Sequence, residues 1–458
     1  MLKDNILLDT DSYKLSHWLQ YPPNTTSMFS YLESRGGKYG QTLFTGLQPI
    51  LKRLENGFSL ADVEEARDFA AAHGEPFNYE GWVACYNAHG GRFPVRIKAV
   101  AEGTVVPVSN CLLTVESTDP RFFWIVSYLE TMIMRVWYPI TVATQSWTIK
   151  QIIKGYLDRT SDDAAAELPF KLHDFGSRGV SSRESAEIGG AAHLVNFMGS
   201  DTMPGIRYAN YYYKSKMAGF SIPAAEHSTI TMWGREYEAD AYRNMIKQYG
   251  RGLYAVVSDS YDLYNAIENI WGGTLYDEVV NSGGMLVVRP DSGNPPEVVL
   301  KALQLLDKKF GSTYNKKGYK VINHVRVIQG DGINEDSIRA ILEAATAAGF
   351  SATNVAFGMG GALLQQVNRD TQRFAFKCSE ATVNGVSVDV YKDPVTDSGK
   401  RSKRGRLDLV KLGTHGSKYE TIKGSAPFGS LLRTVFENGA VVKEYALEEV
   451  RARAAEAV

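Results

Sequence analysis

From about residue 168 to residue 380 the chain repeats one pattern of apolar and polar positions. A short, uniformly apolar run ends in Gly, Asp, His or Arg and gives way to a stretch with helical spacing. The runs are residues 170–175, 253–258, 285–289, 325–329 and 354–358. Markers at their ends, taken with His227, fall at 175, 227, 259, 291, 331 and 360, so the intervals are 52, 32, 32, 40 and 29 residues. That spacing suits strand–loop–helix units. Short strands apolar on both sides predict a parallel sheet covered on its faces, with polar residues gathered at the carboxyl ends of the strands. Successive units with no sign of a strand-order reversal favour closure, so an α/β barrel is expected over residues 146–380.

The remainder reads differently. Strands are expected at 96–101, 111–116, 386–391 and 431–437, and an amphipathic helix near 61–72. Residues 1–145 together with 381–458 are therefore expected to form a second, α+β domain, since the ends of a chain commonly lie close together. The most apolar stretch, 122–143, is interrupted by Glu130 and Arg135 and predicts a buried helix rather than a membrane span.

Composition narrows the class. The 458 residues exceed one ordinary core, and 44% hydrophobic with 22% charged residues is the balance of a globular protein. A formal net charge of -1 argues against a broad nucleic-acid surface, while leaving room for a local basic pocket. Cys85, Cys111 and Cys378 show no metal-ligand spacing, and no His pair is spaced to hold a protein-bound metal. An odd number of scattered cysteines and a polar start to the chain fit the cytoplasm.

The strand ends carry the candidate chemistry. HDFGSRG (173–179) combines two glycines with Phe175, a flat face, and Arg178, a fork of donors suited to phosphate. RPDSGNP (289–295) sets Arg289 and Asp291 two residues apart in a loop braced by proline and glycine. Gln329-Gly330-Asp331-Gly332 and Gly358-Met359-Gly360-Gly361 are glycine turns expected to enter helices, where backbone N–H groups bind anions. Neither is a Walker loop or a dinucleotide fingerprint, and a tight βα turn accounts for each one alone. His227, beside Glu226 and small residues, suits a base, donor or phosphate acceptor. Arg369, Lys377, Lys392, Lys400, Arg401, Lys403, Arg404 and Arg406 form a basic tract, read either as a solvated face or as part of a polyphosphate pocket.

In order along the chain, LDTDSYK (8–14), QYPPN (20–24), WYPITVAT (137–144), HDFGSRG, PAAEHSTIT (223–231), SDSYD (258–262), RPDSGNP, RVIQGDG (326–332) and KRSKRGR (400–406) resemble the nicotinamide phosphoribosyltransferases, a type II phosphoribosyltransferase family. The resemblance implies the irregular α/β barrel of that family. It implies a homodimer with shared active sites, joining nicotinamide to 5-phosphoribosyl 1-pyrophosphate with Mg²⁺ in NAD salvage. A nicotinate phosphoribosyltransferase is the alternative. Carried onto matching positions, Phe175 and Tyr13 of the partner subunit would sandwich the base, with Asp201 accepting from its amide and Arg289 donating to its carbonyl. Gly330, Asp331 and Asp291 would address the ribose. Gly360 and Gly361, with Arg369 and Lys377 of the partner subunit, would hold the 5′-phosphate, and Arg178, His227, Arg289, Lys392 and Lys400 would surround the pyrophosphate. His227, Asp291, Arg289 and Asp259 are the implied catalytic groups, with ATP as a coupled substrate that phosphorylates His227. Departures occur at Ala375, where the family has serine, at Met359 and Ala362, and in a short loop at 35–41.

Overall fold

The computed structural model describes residues 4–396, 401–412, 418–426 and 428–457. They divide into two compact units, Met1–Thr144 with Asn368–Ala457, and Gln145–Val367. The second unit is the barrel. Its strands are β1 (Leu172–Asp174), β2 (Gly199–Ser200), β3 (Leu253–Val257), β4 (Met285–Arg289), β5 (Val325–Gln329) and β6 (Val355–Met359). They pair in parallel in the order β2-β1-β6-β5-β4-β3. The two outer strands are joined by the segment 220–224, because Gly199 bridges Phe220 and Ala224 bridges Ala255. Four backbone bonds of 2.7–3.0 Å make that junction, among them Phe220 N–H to the Met198 carbonyl and Ala225 N–H to the Ala255 carbonyl. The ring therefore follows chain order all the way round.

Local sequence explains the cover. The helix Pro295–Phe310 starts where Asn294 accepts from the Glu297 N–H and stops at Gly311, whose φ of 69° no branched side chain would favour. It buries Val299, Ala302, Leu303, Leu306 and Phe310 along one stripe. Glu335–Ala347 does the same with Ile338, Ile341, Leu342 and Ala345. Helices Arg183–His193 and Met203–Tyr212 cross where Gly190 meets Gly205; a Cβ on Gly190 would lie 3.0 Å from the Gly205 Cα.

The other unit holds a seven-stranded sheet in the order Val386–Asp389, Phe374–Val383, Thr25–Ser34, Cys111–Ser117, Val95–Ala99, Arg433–Glu437 and Ala440–Val441. Its neighbours all run antiparallel. Phe374–Val383 pairs with Thr25–Ser34 over nine positions, so residues 368–380, read from sequence as barrel, lie in this unit. Both partners are strands of mixed polarity, and their pairing is set by a neighbour more than 300 residues away. The stretch 122–143 is not one helix. It turns through Pro120–Phe122, Ile125–Tyr128 and Glu130–Met134 before the helix Trp137–Thr160 begins. Among the described residues no helix is long and apolar enough to cross a membrane.

Candidate active site

The site is built at the carboxyl ends of the barrel strands. The Phe175 N–H donates to the Met359 carbonyl at 2.9 Å, extending the β1–β6 ladder by one residue. The ring packs with Ile222 and Ala356 against a buried cluster of Ala255, Val287 and Ile328. Gly358 makes room for it: a Cβ there would stand 1.9 Å from the ring, and one on Gly330 would stand 3.3 Å away. Around this ring opens a cavity of about 600 Å³, whose apolar lining includes Phe170, Phe220, Ile222 and Val287. His173, Arg178, Asp201, Ser221 and Arg289 supply its polar groups.

Asp201 follows β2. Its Oδ1 accepts from His173 Nε2 at 3.2 Å and from the Ser221 hydroxyl. Burial alone would raise this carboxyl, but the two hydrogen bonds and the nearby Arg289 charge outweigh burial and hold it below the ordinary carboxylate range. Its N–H donates to the Asp174 carbonyl at 2.9 Å. Asp174 escaped the sequence reading. Its carboxyl is wholly buried and accepts from the Gly176 N–H at 2.7 Å. Burial pushes it up to about 6, against the opposing pull of the Gly176 and Thr202 donors. No signal in the sequence marks it: the enclosure comes from the close helix crossing at Gly190, where an added Cβ would lie 3.4 Å from Asp174 Oδ2.

A second cavity, of about 500 Å³, is polar. Phe175, Arg178 and Arg289 line it as well as the first, together with His227, Asp291, Asp331 and the backbone of Gly330, Gly360 and Gly361. His227 opens the short helix His227–Thr231. Its Nε2 lies 2.9 Å from Asp259 Oδ1, and its Nδ1 lies 3.9 Å from Asp291 Oδ2. The other Asp259 oxygen accepts from the Asp291 N–H at 3.2 Å and the Ser292 hydroxyl at 2.6 Å. Both Asp259 oxygens are thus engaged, and the contact at Nε2 holds the imidazole with Nδ1 turned toward Asp291. The Asp291 carboxyl is raised, first by burial and further by Asp259 and Asp331, against Arg289 and His227. Arg289 lies 3.8 Å from Asp291.

One expectation about the glycine turns is corrected. The turn at 329–332 does not open a helix, because Glu335–Ala347 starts later and is capped by Asn334. Gly360 does precede a helix, but Gly361–Leu364 is a single turn.

The remaining residues singled out in the sequence belong to the other unit. Arg369, Lys377 and Lys392 line one cavity of about 600 Å³ with Arg35, Arg373 and Ala375. Burial depresses Lys377, and the Arg35, Lys14 and Lys392 charges add to this against Glu130. Tyr13 sits in the turn Ser12–Leu19, half exposed, edge-on to His17. Lys400 lies outside the described residues. The rest of the basic tract is paired rather than bare: Arg401 with Asp393, Lys403 with Glu33, Arg404 with Asp389, and Arg406 with Glu116 and Glu380.

A parallel α/β barrel with an aromatic cavity at its strand ends, beside one lined by His227, Asp291, Asp331 and glycine backbone, is placed by its similarities in the class of phosphoribosyltransferases. The family model described as the nicotinate phosphoribosyltransferase (NAPRTase) family matches residues 170–440, more than half of the chain. A second, the nicotinamide phosphoribosyltransferase N-terminal domain, matches residues 5–97. The chain is 59% identical to a nicotinamide phosphoribosyltransferase of Xanthomonas campestris pv. campestris, across 98% of both chains. It is 32% identical to one of Acinetobacter baylyi, across 99% of this chain and 97% of the relative. Among solved structures, its fold is similar to the nicotinate-nucleotide pyrophosphorylase of Pyrococcus furiosus, with a TM-score of 0.65 at 17% identity over 100% of this chain and 96% of the other. Human nicotinic acid phosphoribosyltransferase gives a TM-score of 0.57 at 16% identity, over 100% and 93%. The chain belongs to the nicotinate phosphoribosyltransferase (NAPRTase) family.

Proposed function

We infer that this chain is a pentosyltransferase of the nicotinamide type. It converts nicotinamide and 5-phosphoribosyl 1-pyrophosphate to nicotinamide mononucleotide and pyrophosphate, a step of NAD biosynthesis. Two relatives at 59% and 32% identity carry that name, and the matched N-terminal domain is of that kind. The observation that carries the choice of base is Asp201, an ionised carboxylate facing an apolar cavity beside Phe175. It accepts from a carboxamide NH₂ and repels the carboxylate of nicotinate, a like-charge contact worth several kcal/mol.

In this reading Phe175 stacks on the pyridine ring, with Tyr13 of the partner subunit on its other face in a homodimer with shared active sites. Arg289 donates to the amide carbonyl. Gly330, Asp331 and Asp291 meet the ribose, and Gly360 and Gly361 meet the 5′-phosphate with Arg369 and Lys377 of the partner subunit. The pyridine nitrogen forms a bond to ribose C1 as the bond from C1 to the pyrophosphate oxygen breaks, and the charge of the leaving group falls on Arg178, His227, Arg289, Lys392 and Lys400.

Among the described residues no three metal-ligating side chains converge. A Mg²⁺ that takes most of its ligands from pyrophosphate and water still fits, because the Asp291 and Asp331 side chains line the polar cavity. Such an ion would neutralise the departing pyrophosphate. ATP is the proposed coupled substrate: His227 Nδ1 attacks the γ-phosphorus, an N–P bond forms, and ADP leaves. The proposed setting is the cytoplasm, where the free thiols of Cys85, Cys111 and Cys378 stay reduced. Parallel assays of pyrophosphate release with nicotinamide and with nicotinate test the reading. Preference for nicotinamide is expected, and preference for nicotinate overturns it.

A further inference from the structure

We propose that His173 and Ser221 are positioning residues that orient the Asp201 carboxylate and thereby separate a neutral carboxamide from an anionic carboxylate substrate. The proposal rests on the reading of Asp201 as the amide acceptor. Asp201 follows β2, and its two donors come from the two elements that flank β2 in the ring. His173 stands on β1, which pairs with β2, and Ser221 stands on the segment whose Phe220 bridges Gly199. Both donors converge on Oδ1. A carboxylate tied at one oxygen by two donors cannot swivel, so Oδ2 is the oxygen left for a ligand in the cavity.

The imidazole has a built seat. A Cβ on Gly199 would lie 2.5 Å from His173 Nδ1, so the strand beside it admits the ring only because this residue is glycine. An ionised Asp201 can only accept, so Nε2 is the donor in this hydrogen bond. The ring also stands 5.4 Å from that of Phe175, so one side chain braces both groups assigned to the base.

The charged and titratable groups facing Asp201 are His173 and Asp174 on β1 and Arg289 on β4, with the Ser221 hydroxyl from the joining segment. His173, Ser221 and Arg289 favour its ionised form, while burial and Asp174 oppose it. Removing a donor lets burial gain, so Asp201 takes up its proton at a higher pH. A protonated Asp201 no longer repels nicotinate.

The test measures kcat and KM for both bases between pH 3.5 and 8 in the wild type and in Ser221→Ala, Ser221→Thr and His173→Phe. The hydroxyl of Ser221 is solvent-exposed, so Ser221→Ala folds and decides the matter even if His173→Phe does not fold. Ser221→Ala is expected to raise the KM for nicotinamide roughly tenfold and to leave the KM for 5-phosphoribosyl 1-pyrophosphate unchanged. The acid limb of nicotinamide kcat/KM should move to higher pH, and the nicotinamide-to-nicotinate ratio should narrow most at the acid end, with Ser221→Thr restoring both. Parallel losses on both bases, with the ratio and the acid limb as in the wild type, overturn the proposal. A wild type that does not use nicotinamide overturns the underlying reading instead, and the two failures are told apart by the wild-type assay alone.

Discussion

The two cavities at the mouth of the barrel share Phe175, Arg178 and Arg289, yet they are made of different material. One is walled by Phe170, Phe220, Ile222 and Val287 around a single oriented carboxylate. The other is walled by His227, Asp291, Asp331 and glycine backbone. The contrast suits what each is proposed to hold. A flat, nearly neutral base is recognised by stacking and by one or two directional hydrogen bonds, which low polarity strengthens. A pyrophosphate is recognised by charge and by N–H groups that a Cβ would crowd. In the proposed function the bond between base and ribose forms where the cavities meet, at the three shared side chains.

Breaking the shared group should have the largest effect. Arg289→Ala is expected to lower kcat/KM on the order of a thousandfold and to raise the KM of both substrates, because the cation serves both cavities. A loss confined to one substrate would show that it belongs to one cavity only.

Next comes a change aimed at the ring proposed to stack on the base. Gly358→Ala places a methyl group inside the present position of the Phe175 ring. The KM for nicotinamide should rise roughly tenfold or more, as expected for a lost stacking contact, and by more than the KM for 5-phosphoribosyl 1-pyrophosphate, because the ring lines both cavities but is proposed to stack in only one. Steady-state kinetics with each substrate varied in turn separates the two.

Asp259→Asn aims at the polar side. It loosens His227 without removing it, so the acid-labile label from γ-labelled ATP and the stimulation of turnover by ATP should fall about tenfold. His227→Ala should abolish the label, and base affinity should be untouched in both variants. Label retained in His227→Ala would exclude that histidine as the phosphate acceptor.

The smallest effect on turnover is expected at Asp174, where the signal is stability. Its carboxyl titrates near 6 in the fold and near about 3.9 when unfolded. Between those values the folded chain holds a proton that the unfolded chain has lost, so stability falls as pH rises through the window, by roughly 2–3 kcal/mol. Asp174→Asn keeps an oxygen for the Gly176 N–H and removes the titration. Thermal melting should therefore be flatter from pH 4 to 7 in the variant, and the variant should be at least as stable as the wild type at pH 7. An unchanged slope would mean that another group titrates there.

Much of the barrel was legible because several of its strands are apolar on both faces. Leu253–Val257, Met285–Arg289 and Val325–Gln329 stand where uniform runs and glycine turns placed them. Phe175, Arg178, His227, Arg289, Asp291, Asp331 and the paired glycines were visible as the polar or glycine punctuation after those runs, and they do gather in adjoining cavities. Gly199–Ser200 is too short to leave a period, and residues 220–224 make only isolated bridges, so the closure of the ring left no local signal.

Sequence by itself determined the kinds of residue at the strand ends, since a strand–turn–helix unit leaves its polar and glycine residues in one place. Tertiary structure alone decided which of them touch. Burial raised Asp174, while the His173 and Ser221 donors and the Arg289 charge lowered Asp201 against its own burial, so two aspartates of like local appearance shifted in opposite directions. Ring closure set His173 and Ser221, 48 residues apart in the chain, on the same carboxylate oxygen. Donor geometry and desolvation are properties of neighbours in space, and no spacing along the chain encodes them.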